Sequence, residues 1–405
     1  MVGARPNFMK IAPFIKAIET YNSSHHNSDF IVEHILVHTG QHYDVRMSES
    51  FFSALGIPDP DINLEVGSGS HAEQVGHTMM AFEKVLKEHI PVWVVVVGDV
   101  NATLACSVTA KKECIKVCHI EAGLRSGDLS MPEEINRLVT DRLSDMLLTP
   151  DQISSENLRK EGTPEEKIRF VGNIMIDTLE SNREKAASLD LEQILNANKS
   201  EGANFKSHLP DRHSDANITE NSMSNINDPS EKSYIAITLH RPSNVDKKEV
   251  LEPLVDFLLQ EVSKEFKLVW TVHPRTRKQL KTFGLWEKIV ENKNVILLEP
   301  LGYHEMLRLT MGARLMMTDS GGLQEECCVL GIPCLTMRWN TERPITLMEH
   351  GGASILVGND ISLIRNAYHS AISQKTKPSR PALWDGHTAE RCLEEILKAT
   401  SPKPL

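Results

Sequence analysis

The sequence predicts an α/β protein of two doubly wound domains, each a parallel sheet flanked by helices, and three observations carry that prediction. At 405 residues the chain exceeds what one hydrophobic core comfortably serves. Short β-branched runs alternate with helical patterns along most of it. A polar stretch at 182–232, rich in Asn, Ser, Asp, Glu and Lys and poor in large apolar residues after Leu195, separates two such series. A segment of that composition buries too little surface to offset its ordering entropy, so it reads as a flexible insertion. Domains are therefore expected at 1–181 and 233–384. The tail at 385–405 carries a helical pattern from His387 to Lys398 that is expected to pack back on the first domain.

Taken in order, Phe30 to Val37 reads as a strand, Pro91 to Val97 as a fully buried one, and Ile115 to Ile120 as a third. Each runs into a polar or glycine-bearing loop: Thr39-Gly40-Gln41-His42, Gly98-Asp99-Val100-Asn101 and Glu121-Ala122-Gly123. Functional loops in such sheets lie at the carboxyl ends of strands, which would put Asp99 and Glu121 on one rim. The second series runs through Tyr234–Leu239, Lys267–Val272, Val295–Leu298, Leu315–Thr318 and Pro333–Thr336. The start is unusual. Only Met1 and Val2 precede Gly3-Ala4-Arg5-Pro6, so the strand feeding that loop is either stunted or begins upstream of the printed start.

The bulk properties narrow the function. A net charge of −11 argues against nonspecific attachment to nucleic acid or to an acidic membrane. The longest apolar stretch, Pro91 to Val97, is far too short to span a bilayer. Arg5, Asn7 and Lys10 interrupt the first dozen residues, which is no signal-peptide pattern, so a cytoplasmic location is expected. Seven cysteines in mostly apolar surroundings, with no CxxC pair, suggest buried thiols rather than a zinc site or disulfides.

Several loops carry chemistry. Gly3 to Lys10 resembles a strand-to-helix turn where Arg5 and Lys10 face an anion, or a basic helix end in solvent. Thr318-Asp319-Ser320-Gly321-Gly322 follows a strand and opens a helix, where free N–H groups favour phosphate, and Glu326 lies a turn or two on, placed for ribose hydroxyls. Neither GxxxxGK followed by Ser or Thr nor a post-strand GxGxxG occurs, which weighs against ATP-driven phosphoryl transfer and nicotinamide chemistry. His119-Ile120-Glu121 and Pro132-Glu133-Glu134 bring carboxylates near one loop, although acids at a helix start also serve its positive end. Leu239-His240-Arg241-Pro242 ends a strand with a pair suited to a diphosphate, and Arg343 supplies a further guanidinium.

Singly these signals are weak, but their order is not. The stretches GARPNFMK, TGQHYD, VVGDVNATLA, HIEAGLRSGD, MPEEINR, GNIMIDTL, TLHRPSN, VHPRT, EPLGY, TDSGGLQEE and TERP, covering nearly the whole chain, resemble the non-hydrolysing UDP-N-acetylglucosamine 2-epimerase family. The resemblance implies two Rossmann-like domains of the glycosyltransferase-B type with the nucleotide-sugar in the cleft between them, no cofactor and no metal, and a homodimer. It assigns Asp99, Glu121, Glu133 and His240 to catalysis. It assigns Arg5, Lys10, Leu301, Met306, Ser320, Gly321, Gly322, Glu326 and Arg343 to binding of a UDP-2-acetamido sugar. The implied reaction inverts C2 by eliminating UDP to a 2-acetamidoglucal and adding it back, which asks for acid and base on both faces of the sugar.

Two departures bear on the substrate. Arg125 to Glu133 is shorter than in many family members and resembles a branch reading SMPEEINR, whose sugars extend to UDP-diacetamido uronic acids. Gln41 and His42 match part of a site for a second, activating UDP-sugar, but Tyr43-Asp44 follow and no arginine stands near Gly67-Ser68-Gly69. A glycosyltransferase of the same architecture and a non-catalytic UDP-sugar sensor are the competing readings; the acidic trio disfavours the first.

Overall fold

A computed structural model describes residues 1–3, 5–25, 31–40, 59–200, 234–373 and 378–400. The chain divides into a first unit, Met1–Ser181 with Ala382–Leu405, and a second unit, Asn182–Pro381.

The first unit holds β1 (Val37–His38), β2 (Ile62–Asn63), β3 (Trp93–Val97), β4 (Lys116–Ile120), β5 (Met146–Thr149) and β6 (Ile168–Phe170). β3 to β6 form a parallel sheet in chain order, and β1 pairs with β2, also parallel. Met1–Val2 lies between the two groups. Val2 N–H donates to Val37 O and Thr39 N–H to Val2 O, each at 3.0 Å, while the Met1 ammonium donates to Val95 O at 3.0 Å. Burial pushes that ammonium's pKa down. Beside this short stretch lies an apolar cavity of about 660 Å³, lined by Ile15, Leu36, Phe82, Val94 and Leu393 among others.

The strand expected over Phe30 to Val37 is therefore much shorter. Phe30 lies outside the described residues, Ile31 to Leu36 are not in a strand, and only Val37–His38 pair. A strand needs a neighbour to satisfy its backbone, and on this side the neighbour is two residues long. The helix Thr388–Thr400 belongs to the first unit, where Thr400 Oγ accepts from Trp93 Nε1 at 2.9 Å. Its first N–H groups, Thr388 and Ala389, donate to Asp177 at 3.1 and 2.6 Å. Burial raises the Asp177 pKa to about 6 even so.

The second unit holds β7 (Tyr234–Thr238), β8 (Lys267–Thr271), β9 (Val295–Leu298), β10 (Leu315–Thr318), β11 (Cys334–Thr336) and β12 (Ser354–Leu356). They form one parallel sheet in the order β9-β8-β7-β10-β11-β12. Numbered from its own first strand the order is 3-2-1-4-5-6, the doubly wound arrangement whose ligands bind where the order reverses, here between β7 and β10. Ile235, Ile237, Trp270, Leu297, Leu315 and Met317 form the middle of its core, all at most 1% exposed. The near-continuous apolar strands follow from burial on both faces.

Of the polar stretch at 182–232, the first part is helical: one helix runs Ile174–Ala187 and another Leu191–Ala197. Residues 201–233 lie outside the described residues. All seven cysteines are free; six are buried, but Cys114 is exposed, contrary to the expectation of buried thiols. No described helix is long and apolar enough to cross a membrane.

Candidate active site

In the first unit the turns after β3 and β4 are locked together. Gly98 N–H donates to Ile120 O at 3.1 Å, and Glu121 and Ala122 N–H both donate to Leu148 O at 3.0 Å. Gly98 has φ +69 and Glu121 φ +75. A left-handed glutamate is an uncommon, costly conformation that its surroundings must enforce, and such residues cluster at functional sites. Gly98 is required for a second reason. A Cβ there would lie 3.1 Å from Lys10 Nζ and 3.3 Å from Glu121 Oε2. The Lys10–Glu121 ion pair runs directly over it, each residue 5% exposed.

Asp99 is half-buried at the same rim. Arg137 Nη1 donates to its Oδ2 at 2.5 Å, and Asn136 Nδ2 donates to its main-chain oxygen at 2.9 Å. Both donors stand on the helix Pro132–Leu143. Arg137 also donates to Glu134, which accepts from Ser126 and Gly127 N–H at 3.0 Å each. Burial works to raise the Glu134 pKa, but those backbone donors and Arg137 outweigh it and hold the carboxyl below its usual range. Of the two glutamates on this turn, Glu134 is buried and Glu133 exposed. Lys10, Asp99 and Glu121 thus share one rim, while Glu133 sits exposed on the first turn of the neighbouring helix. Arg5 opens the first helix, but its side chain lies outside the described residues, as do Gln41 and His42.

In the second unit the rim is organised by Asp319, 0% exposed at the end of β10. It accepts from the main-chain N–H of His240 at 3.0 Å, of Arg241 at 2.9 Å, and from Asn244 Nδ2 at 3.0 Å. His240 Nδ1 lies 2.8 Å from its Oδ1. Burial works to raise the Asp319 pKa, but His240 and these donors keep it low. With Nδ1 held, Nε2 is the nitrogen His240 offers to a ligand. Ser320 precedes the helix Gly321–Leu330 without a side-chain cap, so the first N–H groups there remain for an anion.

Arg343 forms ion pairs with Glu342 and, at 2.8 Å, with Glu325. Arg338 donates to Glu342 at 2.7 Å. The bare face of Gly321 admits this cluster: a Cβ would meet Glu342 Oε1 at 3.0 Å and Arg343 Nη1 at 3.1 Å. Glu326, 6% exposed, is different. Burial and then neighbouring Glu325 push its pKa up to about 8. Met306, half-buried on the helix Tyr303–Gly312, accepts a long contact from Thr271 Oγ1 at 3.9 Å, and Leu301 lies just ahead of that helix, half-buried. Among the described residues no group of His, Cys, Asp and Glu is arranged to hold a metal ion.

The structure adds Glu134, Arg137 and Asp141 to the rim and gives Asp319 a place beyond its glycine motif. The first three recur at i, i+3 and i+7, one helix face, and that spacing was the available signal. Asp319 directly follows a strand at the point where strand order reverses.

Two α/β units with parallel sheets and charged rims at their strand ends define a protein of the glycosyltransferase-B type, two Rossmann-like domains in one chain. The family described as UDP-N-acetylglucosamine 2-epimerase matches residues 25–397, and the chain belongs to it. It is 39% identical to the UDP-N-acetylglucosamine 2-epimerase of Methanocaldococcus jannaschii, over 97% of this chain and 96% of that protein. It is 33% identical to the UDP-2,3-diacetamido-2,3-dideoxy-D-glucuronate 2-epimerase of Pseudomonas aeruginosa, over 98% of each. The crystal structure of the M. jannaschii UDP-GlcNAc 2-epimerase in complex with UDP-GlcNAc and UDP superposes with a TM-score of 0.78 at 37% identity, covering 98% of both chains.

Proposed function

We propose that the protein inverts C2 of a UDP-2-acetamido sugar, converting UDP-N-acetylglucosamine to UDP-N-acetylmannosamine. The observation that carries this is the first-unit rim, where Glu121 is held against Lys10 and Asp99 against Arg137. Carboxylates with adjoining cations suit proton removal and return at carbon, and no redox group is needed. UDP leaves C1 with the bonding electrons as a carboxylate takes the C2 proton, forming the C1–C2 double bond. Protonation of C2 from the other face and re-addition of the UDP oxygen to C1 complete the inversion. Asp99, Glu121 and Glu133 are assigned to the proton transfers and to the cationic ring. His240 and the Gly321 helix start are assigned to the departing diphosphate, and Glu326 and Arg343 to the nucleoside.

The relative from P. aeruginosa motivates a second substrate, a UDP-diacetamido uronic sugar, for the same chemistry. Incubating the full chain in deuterated water with either UDP-sugar, without an acceptor, tests both. Deuterium at C2 with formation of the 2-epimer is expected, and the faster of the two identifies the substrate. Binding of UDP-sugar with no C2 exchange would overturn the proposal in favour of a sensor or a transferase. Sedimentation of the same sample reads out the homodimer.

A further inference from the structure

β4 carries an imidazole that the proposed reaction does not use. His119 is 0% exposed, and both of its ring nitrogens are engaged. Nδ1 lies 2.6 Å from Asp141 Oδ1 and Nε2 lies 2.9 Å from the main-chain oxygen of Gly98. The Gly98 oxygen is a carbonyl and accepts only. Asp141 Oδ2 accepts from Gly123 N–H at 3.0 Å and from Arg125 Nη1 at 2.7 Å, as an ionised carboxylate does. Burial works to raise the Asp141 pKa, but His119 and Arg125 hold it below the usual range. A neutral ring would set a bare lone pair against one of two acceptors, in a place water does not reach. A proton on each nitrogen satisfies both acceptors. The charges around it balance: Asp141 from the helix Pro132–Leu143, Arg125 from the loop after β4, and Glu161 at 2.7 Å from that guanidinium.

One acceptor lies in the turn after β3 and the other on the helix Pro132–Leu143. Gly98 forms the turn that presents Asp99. Asp141 holds Gly123, in the turn that presents Glu121. We propose that His119, as a buried imidazolium, is a positioning residue that clamps these two turns together and so sets the spacing of Asp99 and Glu121. It touches no substrate atom and acts only through the turns. Backbone bonds tie the β3 turn to β4 at Ile120 and the β4 turn to β5 at Leu148, and the imidazolium adds a buried side-chain bridge from the Gly98 carbonyl to Asp141. Because both turns contain a left-handed residue, relaxation on losing the bridge falls on the carboxylates.

The kinetic half of the test rests on the epimerase reading; the spectroscopic half does not, so their failures are distinguishable. In the full chain labelled with nitrogen-15 histidine, a long-range proton–nitrogen spectrum at about neutral pH should show both His119 nitrogens protonated, assigned by loss of the signals in His119→Phe. A His119 ring with one bare nitrogen overturns the inference whatever the enzyme does. In C2 exchange, His119→Phe is expected to lower kcat about 10- to 100-fold with KM within about twofold. His119→Gln, whose amide stands near the place of Nε2 and restores the donor to Gly98, should recover part of that loss. His119→Asn, which restores only the Asp141 end, should not. Equal kcat in all three variants, or a loss carried by KM, would overturn the clamp.

Discussion

The two units are both built on parallel strands, and they differ in one acid. Each places its charged residues at the carboxyl ends of parallel strands, and the second does so where its strand order reverses between β7 and β10. In the first unit the acids around the rim are matched to cations: Glu121 to Lys10, Asp99 and Glu134 to Arg137, Asp141 to His119 and Arg125. In the second, Asp319, Glu325 and Glu342 are matched to His240, Arg343 and Arg338, while Glu326 is buried with a like charge as its main electrostatic neighbour. Removal of a carbon-bound proton needs a carboxylate that starts ionised and is fixed in place, and a paired cation does that. A hydroxyl ligand needs a carboxyl that stays in place, and charge is optional.

The largest expected effect tests the paired side. Glu121→Gln should lower C2 exchange by about 10²–10⁴-fold, the usual worth of a general acid or base. It also leaves Lys10 buried without its partner, at a cost of about 3–5 kcal/mol in stability. The double variant Glu121→Gln with Lys10→Met should recover most of that stability and none of the exchange, measured by denaturant unfolding beside the deuterium assay. A double variant as unstable as the single would mean the pair does not hold this rim together.

The unpaired side predicts the opposite sign. The Glu326 pKa rises from 4.5 to about 8 on folding, so the folded carboxyl keeps its proton where the unfolded one loses it. Its contribution to stability is thus full below the unfolded value, falls as pH climbs from there toward about 8, and is flat above. Glu326→Gln should therefore match the parent protein at about pH 4.5 and exceed it by on the order of 1–3 kcal/mol at about pH 8.5. Asp141 and Glu134, held low, work the other way: their stability is present above the unfolded carboxylate range and is lost on acidification through their folded values. Unfolding midpoints from about pH 2 to about pH 8.5, for the parent and the variant, separate the two trends.

How much of this was legible in the sequence follows the same division. Asp99 and Glu121 are readable because each stands in the loop that closes a strand-like run, and strand-end loops carry function in such sheets. Asp319 stands in an equivalent position, but there the following glycines carry the sequence signal. Charged residues within a helix read by default as a solvated face, which hides Arg137 and Asp141; the loop Ser126–Gly127 and the His119 ring bury them, and those are tertiary facts. His119 was visible as a motif letter, but its role depends on Asp141, 22 residues away, and on a carbonyl of the preceding strand's turn. β1 failed for a related reason. Of the described part of that run, Ile31 to Val37, only Val37 pairs in the strand, with His38 beyond it, because pairing is decided by the neighbour and not by propensity.

The smallest effect separates binding from chemistry within the second unit. Gly321→Ala puts a Cβ at 3.0 Å from Glu342 Oε1 and 3.1 Å from Arg343 Nη1, so the ion-pair cluster has to give by a few tenths of an ångström. At Gly322 a Cβ meets nothing within 4 Å, so Gly322→Ala changes no packing. If Arg343 serves the nucleoside, Gly321→Ala should weaken UDP binding by about tenfold, or ~1.4 kcal/mol, in a calorimetric titration. Gly322→Ala should leave the melting temperature unchanged, and any loss of UDP affinity there would report direct approach of phosphate to the bare backbone. For Gly321→Ala, kcat at saturating sugar should stay within about twofold, because uniform binding is what was lost. A fall in kcat instead would tie the Arg343 cluster to the proton chemistry and end the division of labour between the two rims.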